Sequence, residues 1–241
     1  MKTSTKTLLS ILFLATFLTS CNVNMFNRIN GNRNVVTEDR SLKEDFTKIK
    51  VSTGLDLYLS QGKSTEITVE ADENLQDIII TEINDGVLKI YSEKNIWKAK
   101  ARKVYVTVET LEGVTATSGS DVYTKETLKV NNISVSATSG ADIRMALDAN
   151  SVSSSATSGS DIEISGVTNQ HSASATSGAS IDAYDLQSKN VTVKVTSGAD
   201  INVYASESID AKATSGGDID FKGSPKQVNK KSSSGGSISA K

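Results

Sequence analysis

The chain has 241 residues with one cysteine, one proline and one histidine, and 26 basic against 28 acidic side chains leave a net charge of −2. That balance argues against a nucleic-acid binder, which concentrates excess Lys and Arg on one face, and one cysteine with one histidine makes neither an intrachain disulfide nor a thiolate or imidazole zinc cage. The single proline is the oddest count, because ordinary usage of about 5% gives roughly a dozen in a chain this long.

Residues 1–20 read as an export signal: Lys2 and Lys6 precede an apolar run from Leu8 to Leu18, and Leu18-Thr19-Ser20-Cys21 closes it. The run is shorter than the roughly 20 apolar residues a spanning helix needs. Its ending resembles a bacterial lipobox, which implies cleavage before Cys21 and attachment of diacylglycerol to its thiol. The plainer alternative is a secretory signal that happens to end near a cysteine. Several acyl chains on one residue exceed the two signals that stable anchoring takes, so the expected partner is a membrane, held by a lipid anchor and not crossed. Asn22, in place of Asp after the cysteine, points by the same resemblance to the outer membrane. Residues 21–34 are Asn-rich and read as a tether.

From 35 to 113 the pattern is β-like but irregular. Ile49 to Leu59 reads as strand, bend and strand around Gly54. Ile67–Glu70, Ile78–Ile83, Val87–Tyr91 and Val104–Val108 are further strands, and Asn84-Asp85-Gly86 is a hairpin signal. This part is expected to form irregular first coils with an inserted hairpin that caps the end.

From 114 to 241 a heptad recurs: ATSGSDV at 116–122, ATSGADI at 137–143, ATSGSDI at 156–162, ATSGASI at 175–181, VTSGADI at 195–201, ATSGGDI at 213–219 and SSSGGSI at 232–238. Its glycines fall at 119, 140, 159, 178, 198, 216 and 235, a spacing of 18 to 21 residues, and a weaker copy occupies Val51 to Leu57. Helical repeats need about 33 residues, and Ser, Thr, Val and Ile are poor helix formers. Between heptads the residues alternate: Ile133, Val135, Ala137, Ser139, Ala141, Ile143, Met145 and Leu147 take one parity, Ser134, Ser136, Thr138, Asp142 and Arg144 the other. Period two means strands with one buried face. Each unit is read as two strands bent at Ser-Gly, with a variable turn before the next: 129–132, 147–151, 166–170, 186–190, 205–208 and 223–228. Stacked units make an all-β, right-handed parallel β-helix with coils of about 19–20 residues, one continuous domain with the irregular part. Proline is then excluded because it cannot enter a ladder that uses both edges of every strand, and Pro225 falls in a variable turn.

Residues 29–40 (INGNRNVVTEDR), 46–57 (FTKIKVSTGLDL), 69–75 (VEADENL) and 85–90 (DGVLKI) resemble the opening segments of the auto-transporter adhesin, head GIN domain family. The resemblance covers nearly all of the chain beyond the signal. It implies an envelope-exposed β-solenoid and, by name, adhesion, and it carries no catalytic residue to transfer.

Stacking places outward residues in columns. Asp121, Asp142, Asp161, Asp200 and Asp218 form a ladder interrupted by Ser180 and Ser237, whose carboxylates repel by roughly 1–3 kcal/mol per neighbour. One reading is a weak Ca²⁺ or ligand ladder; the favoured one has each Asp accept backbone N–H groups of its own corner. A Thr column (Thr117, Thr138, Thr157, Thr176, Thr196, Thr214) is short of the two columns an ice-binding face uses. His171 has inward parity and reads as a core residue. Trp97, Tyr91, Tyr105, Tyr123, Tyr184 and Tyr204 are scattered aromatics that would gain meaning only as a column. The short turns, with Arg144 the one arginine of the repeat, do not resemble a polysaccharide lyase.

The expected protein is therefore a non-catalytic, lipid-anchored envelope solenoid without cofactor, presenting hydroxyls and carboxylates to surface glycans or proteins. The alternatives are a scaffold that self-associates through its ends or edges, and a carbohydrate-active enzyme with a groove of clustered acids. Composition does not set the oligomeric state.

Overall fold

The computed structural model describes residues 28–41 and 44–241; the export signal, Cys21 and the tether up to residue 27 lie outside the described residues. In chain order the strands are β1 Arg28–Asn30, β2 Val35–Arg40, β3 Lys48–Val51, β4 Asp56–Gln61, β5 Glu66–Asp72, then, after a 3-10 turn at Glu73–Ile78, β6 Ile79–Asn84, β7 Val87–Ser92, β8 Asn95–Lys98 and β9 Arg102–Val108. The repeat supplies β10 Gly113–Thr117, β11 Asp121–Thr124, β12 Leu128–Thr138, β13 Asp142–Thr157, β14 Asp161–Thr176, β15 Ser180–Thr196, β16 Asp200–Ala213, β17 Asp218–Lys222, β18 Gln227–Ser232 and β19 Ser237–Ala240. The coils stack in parallel as a β-solenoid of about seven turns.

Every heptad lands on its copy: Ala116, Ala137, Ala156 and Ala175 are direct neighbours in register, and so are Val122, Ile143, Ile162 and Ile181. The core follows from this alternation. The column is buried from Val122 to Ile219 and half-buried at Ile238 in the last coil, Met145 and Phe221 are buried with it, and the N-terminal coils carry the bulkier Leu55, Leu57, Leu59 and Leu88.

The Ser-Gly corner differs from the alternation count. Ser118, Ser139, Ser158, Ser177, Ser197, Ser215 and Ser234 all have φ of 51–59°, and the glycines that follow have φ of 65–79°. Two consecutive left-handed residues turn both positions outward, so Ser139, expected inward, is exposed, and so is its copy Ser197. Thr53 (φ 64°) and Gly54 (φ 72°) form the same corner in the weak copy. The corner does not break the ladder. Gly140 N–H donates to the Ser158 carbonyl at 3.3 Å, and Asp142 N–H to the Ser120 carbonyl at 3.1 Å.

The variable segments also differ from expectation, because most of them are bends within one strand. β13 and β14 pair from Asp142↔Asp161 to Thr157↔Thr176, skipping only Asn150 opposite Asn169, where the two carboxamides bond at 3.1 Å. Short side chains and small inward residues let the backbone bend while still paired. At Gly166 (φ 114°) the backbone passes so close that a Cβ would strike the Leu147 carbonyl. Pro225 sits between β17 and β18, outside the strands.

At the N-terminal end the chain order and the spatial order part. β7 and β9 form the first coil, β3 and β4 the second, and β10 and β11 the third, so β3 lies between β7 and β10 and β4 between β9 and β11. Antiparallel β6 covers β7, and β5 with β2 covers β9, which closes this end. Between β7 and β9 the first coil projects β8, which pairs in parallel with β1 as a separate two-stranded ribbon. Asp72 fixes that ribbon. Its fully buried carboxylate accepts the N–H groups of Arg33, Lys100 and Ala101 at 2.9–3.2 Å; burial pushes its pKa up, but these bonds outweigh burial and hold it below the usual value.

The last coil is different. Val228, in the inward column below Ile209, is 49% exposed, and Lys230 takes the inward place below Ala211, its ammonium 4.6 Å from the centre of the Phe221 ring.

Candidate ligand-binding faces

Outward columns follow from the same register. On the strand that follows the Ser-Gly corner the Asp column is longer than the repeat alone implies. It runs Lys103, Asp56, Asp121, Asp142, Asp161, Ser180, Asp200, Asp218, Ser237. Among the described residues the carboxylates of Asp121, Asp142, Asp161, Asp200 and Asp218 accept no hydrogen bond from their corner, contrary to the favoured expectation. The reason is that the corner N–H groups are already paired with neighbouring coils. Partial burial, together with Asp56 and Asp142 on either side, pushes Asp121 up; burial and Asp142 do the same to Asp161. Burial also raises Asp56, against the pull of Arg102 and Lys103. Among the described residues no three His, Cys, Asp or Glu side chains gather in a way that could hold a metal ion.

Two residues along, the next outward column reads Tyr105, Tyr58, Tyr123, Arg144, Glu163. The tyrosines stack: ring centres are 5.2 Å apart for Tyr105 and Tyr58 and 5.3 Å for Tyr58 and Tyr123, both at 24°. Tyr105 donates to Glu70 at 3.3 Å and lies under the Lys125 ammonium at 4.5 Å. Below Tyr123, Arg144 is drawn to Glu163 at 3.2 Å. Tyr105 and Tyr123, scattered in the sequence, are therefore joined in a column, with Tyr58 at its centre. The signal was present: Tyr58 follows Asp56 by two positions, as Tyr123 follows Asp121.

The strand before the corner carries a hydroxyl face wider than one Thr column. Thr117, Thr138, Thr157 and Thr176 are flanked in register by Thr115, Ser136, Ser155 and Ser174, and the Thr hydroxyls lie 3.4–3.5 Å from those of the corner serines Ser118, Ser139, Ser158 and Ser177. Inward serines are held by the backbone instead. Ser120 Oγ accepts from Gly54 and Leu55 N–H, and Ser160 Oγ donates to the Ala137 carbonyl at 2.9 Å.

His171 is in the core as expected, 2% exposed, with Nε2 2.9 Å from Ser154 Oγ and Nδ1 without a partner. Burial pushes its pKa down to about 4, so it is neutral at pH 7. Trp97 is 56% exposed on β8, apart from the tyrosine stack.

An open groove of about 920 Å³ also lies beside the bend at Asn131, between Leu111, Val130 and Ile133 on the apolar side and Lys48, Glu112, Lys129 and Asp148 on the polar side. It forms because the chain drops from β9 past the level of β4 to reach β10, leaving one corner without a coil above it. Gln61 fills part of that gap as a surrogate peptide: its amide oxygen accepts Lys129 N–H at 2.8 Å and its amide nitrogen donates to the Lys129 carbonyl at 2.9 Å. No repeat pattern signals this groove, since it comes from the irregular threading.

A family model described as "Putative auto-transporter adhesin, head GIN domain" matches residues 45–225. Solved structures share the fold. A putative adhesin from Bacteroides fragilis NCTC 9343 superposes with a TM-score of 0.81 at 23% identity, covering 88% of this chain and 100% of its own. A putative lipid binding protein from Parabacteroides distasonis ATCC 8503 gives 0.73 at 23% identity, over 89% of this chain and 99% of its own. A putative adhesin from Parabacteroides merdae ATCC 43184 gives 0.69 at 19% identity, over 89% and 99%. Among curated proteins none matches. With three quarters of its length inside the family's match and the repeat, corner and capped first coils in place, this chain belongs to the family of the putative auto-transporter adhesin, head GIN domain.

Proposed function

We propose that the protein is an exported, lipid-anchored adhesin of the cell envelope that contacts glycans through the face built from its tyrosine and aspartate columns. The observation that carries this reading is the Tyr105–Tyr58–Tyr123 stack lying beside Asp56, Asp121 and Asp142 on one paired ladder. A row of phenol edges beside carboxylates offers hydroxyl donors and carboxylate acceptors to the neighbouring hydroxyls of a pyranose. The ladder holds these groups in fixed places, so little side-chain freedom is lost on binding. The Cys21 anchor and the outer-membrane location rest on the lipobox resemblance at Leu18 to Cys21.

The contact and the anchor are tested separately. A glycan array probed with the labelled protein is expected to return a ligand class, and binding is expected to fall at least tenfold in Tyr58→Ala. An array with no ligand, or one that Tyr58→Ala leaves unchanged, removes the glycan reading. Mass spectrometry of the N-terminal peptide from membranes is expected to find acyl chains on Cys21, and an unmodified Cys21 removes the anchor.

A further inference from the structure

We infer that the β1–β8 ribbon at the N-terminal end is a membrane-docking surface that lies against a bilayer with anionic headgroups. The inference rests on the lipid-anchor reading above and adds the orientation of the solenoid on the bilayer.

Three observations carry it. Trp97, the only tryptophan of the chain, is 56% exposed on β8 of the ribbon, with the Arg28 guanidinium 4.2 Å from its ring centre. Indole prefers the headgroup depth of a bilayer, where its apolar ring and N–H are both satisfied, and a guanidinium beside it is suited to a phosphate. Second, the run from 94 to 103 carries Lys94, Lys98, Lys100, Arg102 and Lys103 with no acidic residue, in a chain whose net charge is −2. Lys103 is paired with Glu70, whereas Lys94, Lys98 and Lys100 are exposed beside Trp97. Third, Arg28 follows Cys21 by seven positions, so even a fully extended chain keeps the ribbon within about 25 Å of the anchor. The ribbon is also firmly set: Gly31 N–H donates to the Lys98 carbonyl at 2.7 Å, and Asp72 binds Arg33, Lys100 and Ala101. A rigid ribbon with one indole and three exposed lysines at the anchored end is placed to lie on the lipid, with the later coils leading away from it.

The single tryptophan makes the test direct. The acylated full-length mature chain is reconstituted on vesicles of phosphatidylcholine alone or with phosphatidylglycerol. Flotation reports the anchor, and the Trp97 emission reports the ribbon. The expected result is flotation with both vesicles, with a blue-shifted emission that bromolipids quench on the phosphatidylglycerol vesicles and that Lys98→Glu/Lys100→Glu abolishes while still floating. Flotation with the emission of a water-exposed indole overturns the docking surface and leaves the anchor standing. Failure to float overturns the anchor, and the docking surface with it.

Discussion

A left-handed backbone is tolerated at each Ser-Gly corner because nothing crowds it. A Cβ added at Gly140 (φ 68°) meets no atom within 4 Å, so Gly140→Ala costs only the backbone term of about 1 kcal/mol. At Gly166 (φ 114°) the added Cβ meets the Leu147 backbone, which cannot yield as a flexible side chain does, and Gly166→Ala is predicted to cost about 3 kcal/mol. Urea denaturation of the two variants ranks them. His171 supplies a pH dependence. Its folded value of about 4 lies below the ordinary 6.5, so the fold carries no penalty above pH 6.5 and loses about 3 kcal/mol as the pH falls through that window. His171→Val/Ser154→Ala, which removes both partners, is predicted to flatten the stability profile between pH 6.5 and 4. A profile as steep as the wild type's would contradict it. The Asp ladder has the opposite sign. Asp121 and Asp161 are raised, so their ionised forms oppose folding at neutral pH and acid relieves them. Asp121→Asn is predicted to raise the melting temperature at low salt, with a gain that shrinks as salt screens the column.

At the scale of elements, the strands and their buried parity were readable because hydrophobic and small residues keep a strict period of two from Ile133 to Leu147. The corner was readable in position but not in conformation. Ser139 keeps the parity count intact, yet points outward, because two left-handed residues in succession replace one inward and one outward residue by two outward ones. The bends near Asn150 and Asn169 were misread as turns, since polar short side chains are equally at home in a loop and in a paired bend. The ends of the solenoid show the two remedies for an open edge. The first coil is covered by antiparallel strands; the last is blunted by a charge facing inward, Lys230 above Phe221. Lys230→Val, which continues the small apolar column of Ala211 beside Val228, is predicted to produce concentration-dependent oligomers in analytical ultracentrifugation. A variant that stays in the wild type's state would show that the charge does not guard the edge. Asp72→Asn is predicted to loosen the ribbon alone, seen as faster amide exchange at 31–34 and 98–101 with the repeat coils unchanged.

Over the whole molecule, a regular half makes the fold legible and an irregular half supplies much of the candidate face. Seven near-identical heptads determine their own stacking, so columns of the repeat were predictable from residue numbers alone. The tyrosine stack straddles the boundary. Only Tyr123 belongs to the repeat, whereas Tyr58 and Tyr105 come from coils whose spatial order, first β7 and β9 and then β3 and β4, departs from chain order. The groove beside Asn131 arises from the same departure. No local pattern records a chain that climbs to cap its own first coil and then descends past it. We propose the stacked tyrosines and the carboxylates beside them as the adhesive surface, and binding of the purified mature chain to intact cells tests that role. Saturable binding is expected, falling at least tenfold in Tyr58→Ala/Tyr123→Ala while the melting temperature stays within a few degrees of the wild type's; equal binding by a folded double variant would rule out the tyrosine face.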